Sequence, residues 1–295
     1  MSMVTRRYVL KSGAVCLAGY ALFGGMVEHV SASVLGDGAD DQSLQIIHIT
    51  DSHLDLAKPE TATWLQLFVD KVNNEYASTD FVLFGGDNFN NNVVGKDDAV
   101  QFKSIADGLK CPWYAVRGNK EASPKPKGDS LNQADFAGMF FTGKLEVHGR
   151  NWKVSKGGYT ILGLDSTVDA HNNGLYSPKT LDFVENELRE NPNSHYILVN
   201  HHAYVNYWQG SDPKDIHKYV LNNEDEVKQR LFRYQNLKLT LSGHKHLNDS
   251  SKIGETRVVS TVGFKVPQGA HKDHQFRVVK MKDGNVVQEQ VVGIV

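Results

Sequence analysis

The sequence is short of cysteine, proline and net charge, and each shortage closes a class of explanation. Two cysteines occur in 295 residues, Cys16 and Cys111, so no disulfide framework staples the chain. Eight prolines and 26 glycines are too few for a collagen-like or Pro-Gly-rich disordered chain. Lys and Arg number 32 against 34 Asp and Glu, a formal charge of −2, which offers no basic stripe to a nucleic-acid polymer and no polybasic patch to a membrane. No apolar run reaches the roughly 20 residues needed to span a bilayer comfortably. What remains is ordinary globular material, 40% apolar and 22% charged, in a chain long enough to bury a full core.

Residues 1–32 read as an export signal and residues 33–295 as a single domain. Residues 5–11 are TRRYVLK, residues 13–27 carry no charge, and Val30, Ser31 and Ala32 follow. A basic segment, a short apolar segment and a small residue at the cleavage point make a signal peptide. The adjacent Arg6 and Arg7, with Leu10 and Lys11 behind them, resemble the twin-arginine signal of bacteria. That resemblance implies recognition by the twin-arginine export machinery and a periplasmic or secreted protein, a retained N-terminal anchor being the alternative. Cleavage near Ala32 leaves 29 basic against 33 acidic residues, or −4, and a single thiol, Cys111, which reads as a small buried hydrophobe.

Apolar runs at 44–49, 81–84, 113–116, 196–199 and 237–241 predict strands, several buried on both faces because the runs are continuous. Between them lie helical patterns. Leu65, Phe68, Val69, Val72 and Tyr76 form a stripe beginning after Pro59; Ser177 and Pro178 cap a helix with Leu181, Val184 and Leu188 inward; Val227, Leu231 and Tyr234 mark a third. Toward the C-terminus, Asp283-Gly284 separates two strand-like runs and predicts a hairpin. Alternating strand and helix implies an α/β domain.

Each strand ends in a polar cluster: Asp51-Ser52-His53, Gly86-Asp87-Asn88, Gly118-Asn119-Lys120-Glu121, His201-His202, and Gly243-His244-Lys245-His246. Ligands in open α/β sheets sit outside the carboxyl ends of strands, so these clusters are expected to converge on one cleft. The glycines before Asp87, Asn119 and His244 permit sharp turns. Carboxylate, amide and imidazole donors together suit borderline transition ions such as Fe, Mn or Zn better than Ca or Mg. Seven ligands exceed the need of one ion and suffice for two that share a carboxylate. His201 and His202 are adjacent, so in an extended segment they point to opposite faces and only one binds metal. Histidines 29, 48, 148, 171, 195, 217, 271 and 274 have no motif company and read as structural or surface residues.

D-x-H, G-D-x-x-N, G-N-x-E, a His pair and G-H-x-H, in this order from Asp51 to His246, resemble the calcineurin-like metallophosphoesterases. Within them, L-D-S-T at 164–167, Gly174 and the helix from Ser177 are similar to the class III cyclic-nucleotide and glycerophosphodiester phosphodiesterases. The resemblance implies a four-layer α/β/β/α sandwich of two mixed sheets. It also implies two divalent or trivalent metal ions, with Asp51, His53, Asp87 and His246 at one, Asp87, Asn119, His201 and His244 at the other, and Asp87 bridging. The activity implied is hydrolysis of a small phosphate ester by a metal-bridging hydroxide, a diester ahead of a monoester. A non-catalytic metal-binding scaffold is the alternative from another class.

This sequence departs from the family at Lys120, where a His usually stands beside the leaving group. Lysine has an unperturbed pKa near 10.4, so Lys120 is expected to act as a cation on the leaving oxygen or on a phosphate oxygen, or else to point to solvent. The resemblance favours His201 as the ligand and leaves His202 supporting it or facing substrate. The usual proline after the pair is absent, Ala203 standing next. Tyr204, Tyr207 and Trp208 either stack on substrate or pack on the body. Lys125 and Lys127 in the SPKPKG loop at 123–128 either meet a second phosphate or are solvated. Asp165 either joins the cleft rim or serves its own turn.

Overall fold

The continuous strands need cover on both faces, and the topology supplies it. The computed structural model describes residues 42–122, 131–205, 219–265 and 274–295, all within one compact unit, Asp40–Val295. The export signal with Cys16, the 123–128 loop with Lys125 and Lys127, Tyr207, Trp208, His29, His217 and His271 lie outside the described residues.

One sheet has five strands. Its parallel centre is β1 (Ser43–Ile49), β2 (Phe81–Phe84) and β3 (Trp113–Ala115), and β11 (Gln275–Lys282) and β12 (Asn285–Gly293) continue it antiparallel in the order β12-β11-β1-β2-β3. The other has seven, ordered β4-β5-β6-β7-β8-β10-β9. These are β4 (Glu146–His148), β5 (Asn151–Lys156), β6 (Tyr159–Gly163), β7 (His195–Val199), β8 (Leu237–Ser242), β9 (Asp249–Ile253) and β10 (Thr256–Ser260). Its centre, β6-β7-β8-β10, is parallel. The Asp283-Gly284 hairpin forms as expected, with φ of 48° and 75°, the two left-handed positions that a tight hairpin turn takes.

Alternation along each strand sorts the apolar residues into three cores. Leu44, Ile46, Phe81 and Leu83 of the first sheet meet Ile161, Ile197, Val199 and Leu239 of the second. The opposite faces of β1 and β2, through Ile47, Ile49, Val82 and Phe84, pack under α1 (Pro59–Glu75) and α2 (Asp97–Ala106) with Phe68, Val69 and Phe102. Leu162, Tyr196, Leu198 and Leu237 pack under α5 (Pro178–Glu190) and α6 (Glu224–Leu231) with Leu181, Val184 and Val227. The result is the expected α/β/β/α sandwich. Helix α4 (Gln133–Phe140) adds Phe136 and Phe140 to the first outer layer, and the single turn α3 (Asn119–Ala122) follows β3.

Caps and cross-links follow from single residues. The Ser177 side chain accepts the backbone N–H of Thr180 at 3.1 Å with Pro178 in the first turn of α5, the cap that the sequence announces. Trp152 is fully buried between the sheets, and its indole N–H donates to the Ala115 carbonyl at 2.9 Å. Beyond β10 the chain crosses back to the first sheet, where the N–H groups of Phe264 and Lys265 donate to the carbonyls of Thr50 and Asp51 at 2.9 and 3.0 Å. Among the described residues, no helix is long and apolar enough to cross a membrane.

Candidate metal centre

All the polar clusters leave the carboxyl ends of parallel strands, and all seven predicted ligands meet. Asp51, His53 and His246 form one group whose donor atoms lie within 4.8 Å of one another, and Asp87, His201 and His244 form a second. His246 Nε2 is 3.0 Å from Asp51 Oδ1, and His53 Nε2 is 3.7 Å from the same oxygen. In the second group His201 Nε2 is 3.5 Å from Asp87 Oδ1, 3.2 Å from His244 Nδ1 and 3.1 Å from Asn119 Oδ1. Asp87 also presents Oδ2 to His53 Nε2 at 3.6 Å, so its two oxygens face different groups.

Donors that share an ion at about 2.0 to 2.2 Å stand roughly 3 to 3.5 Å from each other, close to the 3.0 to 3.7 Å found here. Tautomers support that fit. His53 Nδ1 lies 2.9 Å from Asn90 Oδ1 and His201 Nδ1 lies 2.8 Å from the Gly85 carbonyl; both Nδ1–H groups therefore donate outward, which turns both Nε2 atoms into the centre. His53 Nε2 is buried without a hydrogen-bond partner, an expensive arrangement unless a cation receives it.

Charge points the same way. Burial works against ionising Asp51, yet His246 and His201 beside it hold its carboxyl well below the usual range. Burial likewise opposes ionisation of Asp87, and His201 and His53 outweigh it. Burial opposes a charge on His201, but Asp87 and Asp51 together carry it up to about 9. Anionic carboxylates are thus already balanced by cations, supplied here by protonated imidazole.

Backbone strain gathers at the same place. Eight non-glycine residues among those described have positive φ, and five of them are Asp51, His53, Asp87, His244 and His246. Holding such conformations costs about 1 to 3 kcal/mol each. Of the glycines expected to turn the chain, only Gly86 does so through its φ of 91°. Gly118 is required for space instead, since a Cβ there would lie 2.2 Å from the Asp87 carboxylate.

Some supporting residues were unassigned in the sequence. Glu121 is buried, and its carboxylate accepts the N–H groups of Gly118, Asp87 and Asn88 at 2.8, 3.1 and 2.6 Å, fixing the turn that aims Asp87. Burial and the Asp87 charge push its pKa up to about 7. Asn172 accepts the Asn119 side-chain N–H at 3.2 Å, which turns the Asn119 oxygen toward His201. Asn90 holds His53, as described.

Other expectations resolve differently. His202 is fully buried; its Nδ1 meets Ser166 Oγ at 2.8 Å and its Nε2 meets the Asn172 carbonyl at 3.1 Å. Both nitrogens are occupied, and burial with neighbouring His244 and His201 holds its pKa well below the ordinary value. The substrate-facing option for His202 is therefore replaced by a supporting one. Tyr204 does not stack in the cleft but packs fully buried against Tyr176 and Phe232. Asp165 is buried, ties Thr167 into its own turn and pairs with Arg117 at 3.0 Å. His48 is fully buried, 2.9 Å from Thr261 Oγ1, and burial and Arg277 lower its pKa to about 3. His148 and His274 stack on Phe183 and Trp64. Cys111 is half-buried against the first helical core. Lys120 is half-buried, and its backbone N–H donates to Asp87 Oδ1 at 2.7 Å.

Residues 44–248, well over half of the chain, match the calcineurin-like phosphoesterase family. The chain belongs to that family. It is 23% identical over 229 residues to a 3′,5′-cyclic adenosine monophosphate phosphodiesterase, CpdA, of Haemophilus influenzae, covering 76% of this chain and 77% of the relative. It is 23% identical over 175 residues to a probable glycerophosphodiester phosphodiesterase, GpdQ, of Arcobacter nitrofigilis, covering 59% of each chain. Among solved structures, a dimetal phosphatase from Danio rerio superposes with a TM-score of 0.63 at 11% identity, covering 85% of this chain and 99% of that one. That likeness concerns the fold. The calcineurin-like phosphoesterase expected from the motifs is thus the family found, and the chain is a phosphoric ester hydrolase of that family.

Proposed function

We propose that this phosphoesterase is a binuclear enzyme that hydrolyses small phosphodiesters. The observation that carries the reading is the placement of Asp87, whose Oδ1 and Oδ2 lie 3.5 and 3.6 Å from His201 and His53, one nitrogen in each donor group. Asp51, His53, Asp87 and His246 would hold one transition ion, of the Fe, Mn or Zn type, and Asp87, Asn119, His201 and His244 the other. When bound, such a pair supplies Lewis acidity that neutralises phosphate oxygens and makes a nucleophile of water near neutral pH.

The protein's own contribution is to hold and to orient. Glu121 fixes the Asp87 turn, Asn172 fixes the Asn119 amide, and Asn90 fixes the His53 ring, so little reorganisation remains when charge develops on the ester. Lys120 follows Asn119 directly and brings a cation to the rim, where it stabilises the departing oxygen or a phosphate oxygen. A diester is favoured over a monoester by the L-D-S-T segment and by two relatives whose names are those of phosphodiesterases. The Arg6-Arg7 pattern supports a place outside the cytoplasm.

The test is hydrolysis of bis-p-nitrophenyl phosphate and p-nitrophenyl phosphate by the chain reconstituted with Mn, Zn or Fe. Faster turnover of the diester, lost in Asp87→Asn, is expected. Metal binding without turnover of either ester would support the scaffold alternative instead.

A further inference from the structure

Beside the metal centre, a cavity of about 260 Å³ opens against Ser52, Lys58, Trp64, Phe264, Lys265 and His274. Ser52 stands between the two ligands Asp51 and His53, and the Lys265 N–H donates to the Asp51 carbonyl at 3.0 Å, so the cavity adjoins the reacting site. One wall is rigid and aromatic. Trp64 stacks on His274 with ring centroids 4.1 Å apart, and His274 Nδ1 is held 2.6 Å from the Phe264 carbonyl.

The other side gathers cations. Lys265 is half-buried and lines the cavity together with the exposed Lys58. Two carboxylates of the adjoining loops, Asp55 and Asp87, are engaged elsewhere. Asp55 accepts the Asn90 side-chain N–H at 2.8 Å and the Ala57 N–H at 3.0 Å, and Asp87 belongs to the donor set. Among the described residues, none of Lys58, Lys120 and Lys265 forms an ion pair. The one acid on the cavity rim, Glu60, is exposed. Two cations that share the wall of one cavity repel one another, and that cost is recovered when an anion enters.

The geometry points to a second phosphate subsite: Lys58 and Lys265 receive a phosphate monoester carried by the substrate next to the ester that is cleaved. A phosphate monoester bears about −1.5 to −2 charges near neutrality and three acceptor oxygens, matching several lysine donors better than a singly charged group does. Lysine, a compact charge on a flexible stem, suits a phosphate that must enter and leave. The preferred substrates are thus phosphate esters of an alcohol that is itself phosphorylated. This rests on the phosphoesterase reading of the adjoining centre.

The experiment is calorimetric titration of the metal-loaded full chain with mono- and bisphosphates of α,ω-alkanediols two to six carbons long. For at least one length the bisphosphate is expected to bind tenfold or more tightly than the monophosphate. That ratio should fall below threefold in the double variant Lys58→Gln/Lys265→Gln, should persist in Lys265→Arg, and should shrink as salt rises. A ratio below threefold at every length in the wild type, or one that survives in the double variant, would overturn the subsite. Turnover of bis-p-nitrophenyl phosphate tests the phosphoesterase reading separately, because the binding ratio is read without turnover.

Discussion

The two sheets bring different chemistry to the centre. The five-stranded sheet delivers Asp51, His53, Asp87 and Asn119, a set rich in oxygen, whereas the seven-stranded sheet delivers only imidazoles, His201, His244 and His246. Neither sheet completes a donor group alone: Asp51 and His53 need His246, and Asp87 needs His201 and His244. The centre is therefore a property of the inter-sheet interface, and the apolar layer between the sheets, with Trp152 buried in it, sets the distances between ligands.

The comparison is broken most severely at the residue that serves both groups. Asp87→Ala should empty both metal positions, a loss of affinity well beyond the 10- to 100-fold typical of outer partners, read by metal analysis after dialysis. Next comes the interface itself. Trp152→Ala removes a fully buried indole and should cost about 3 to 5 kcal/mol of stability, measured by urea unfolding, with metal affinity falling in parallel because the ligand sets separate. Asn90→Ala touches only the orientation of His53, and a 10- to 100-fold weakening of metal binding is expected, with the fold unchanged by circular dichroism.

The smallest effect is protonic. In the metal-free protein His201 is raised from 6.5 to about 9. The stability this lends is full below pH 6.5 and is lost as pH rises through about 9. Metal must displace that proton, so affinity should climb with pH across this window and flatten above it, and calorimetry at pH 7 in buffers of different ionisation enthalpy should register proton release. Metal affinity independent of pH from 6.5 to 9 would contradict the assignment of His201 as a ligand.

Much of this was legible because the ligands follow strands. Asp51, Asp87, Asn119, His201 and His244 each come directly or within a few residues after a continuous apolar run, and the runs themselves are buried on both faces. Edge strands were harder to read. β9, DSSKI, carries one apolar residue, and β4 has three residues, so neither presents a periodic signal. Helices α2 and α4 are short and lacked a stripe long enough to detect. The supporting residues were illegible for another reason: Asn90, Glu121 and Asn172 act on the ligands and their turns through hydrogen bonds, Asn90 to His53, Glu121 to Asp87 and Asn88, and Asn172 to Asn119, all 30 or more positions away in sequence. Tyr204 followed a ligand and so invited a role in substrate contact, but the chain turns it inward onto Tyr176.

The central claim, two ions held between two sheets, is tested most directly by metal stoichiometry of the reconstituted chain and of two variants from the seven-stranded sheet. The account predicts about two ions per chain in the wild type and about one in each of His246→Ala and His244→Ala, because each variant damages a different group. A single ion in the wild type, or loss of both ions in either variant, would contradict it.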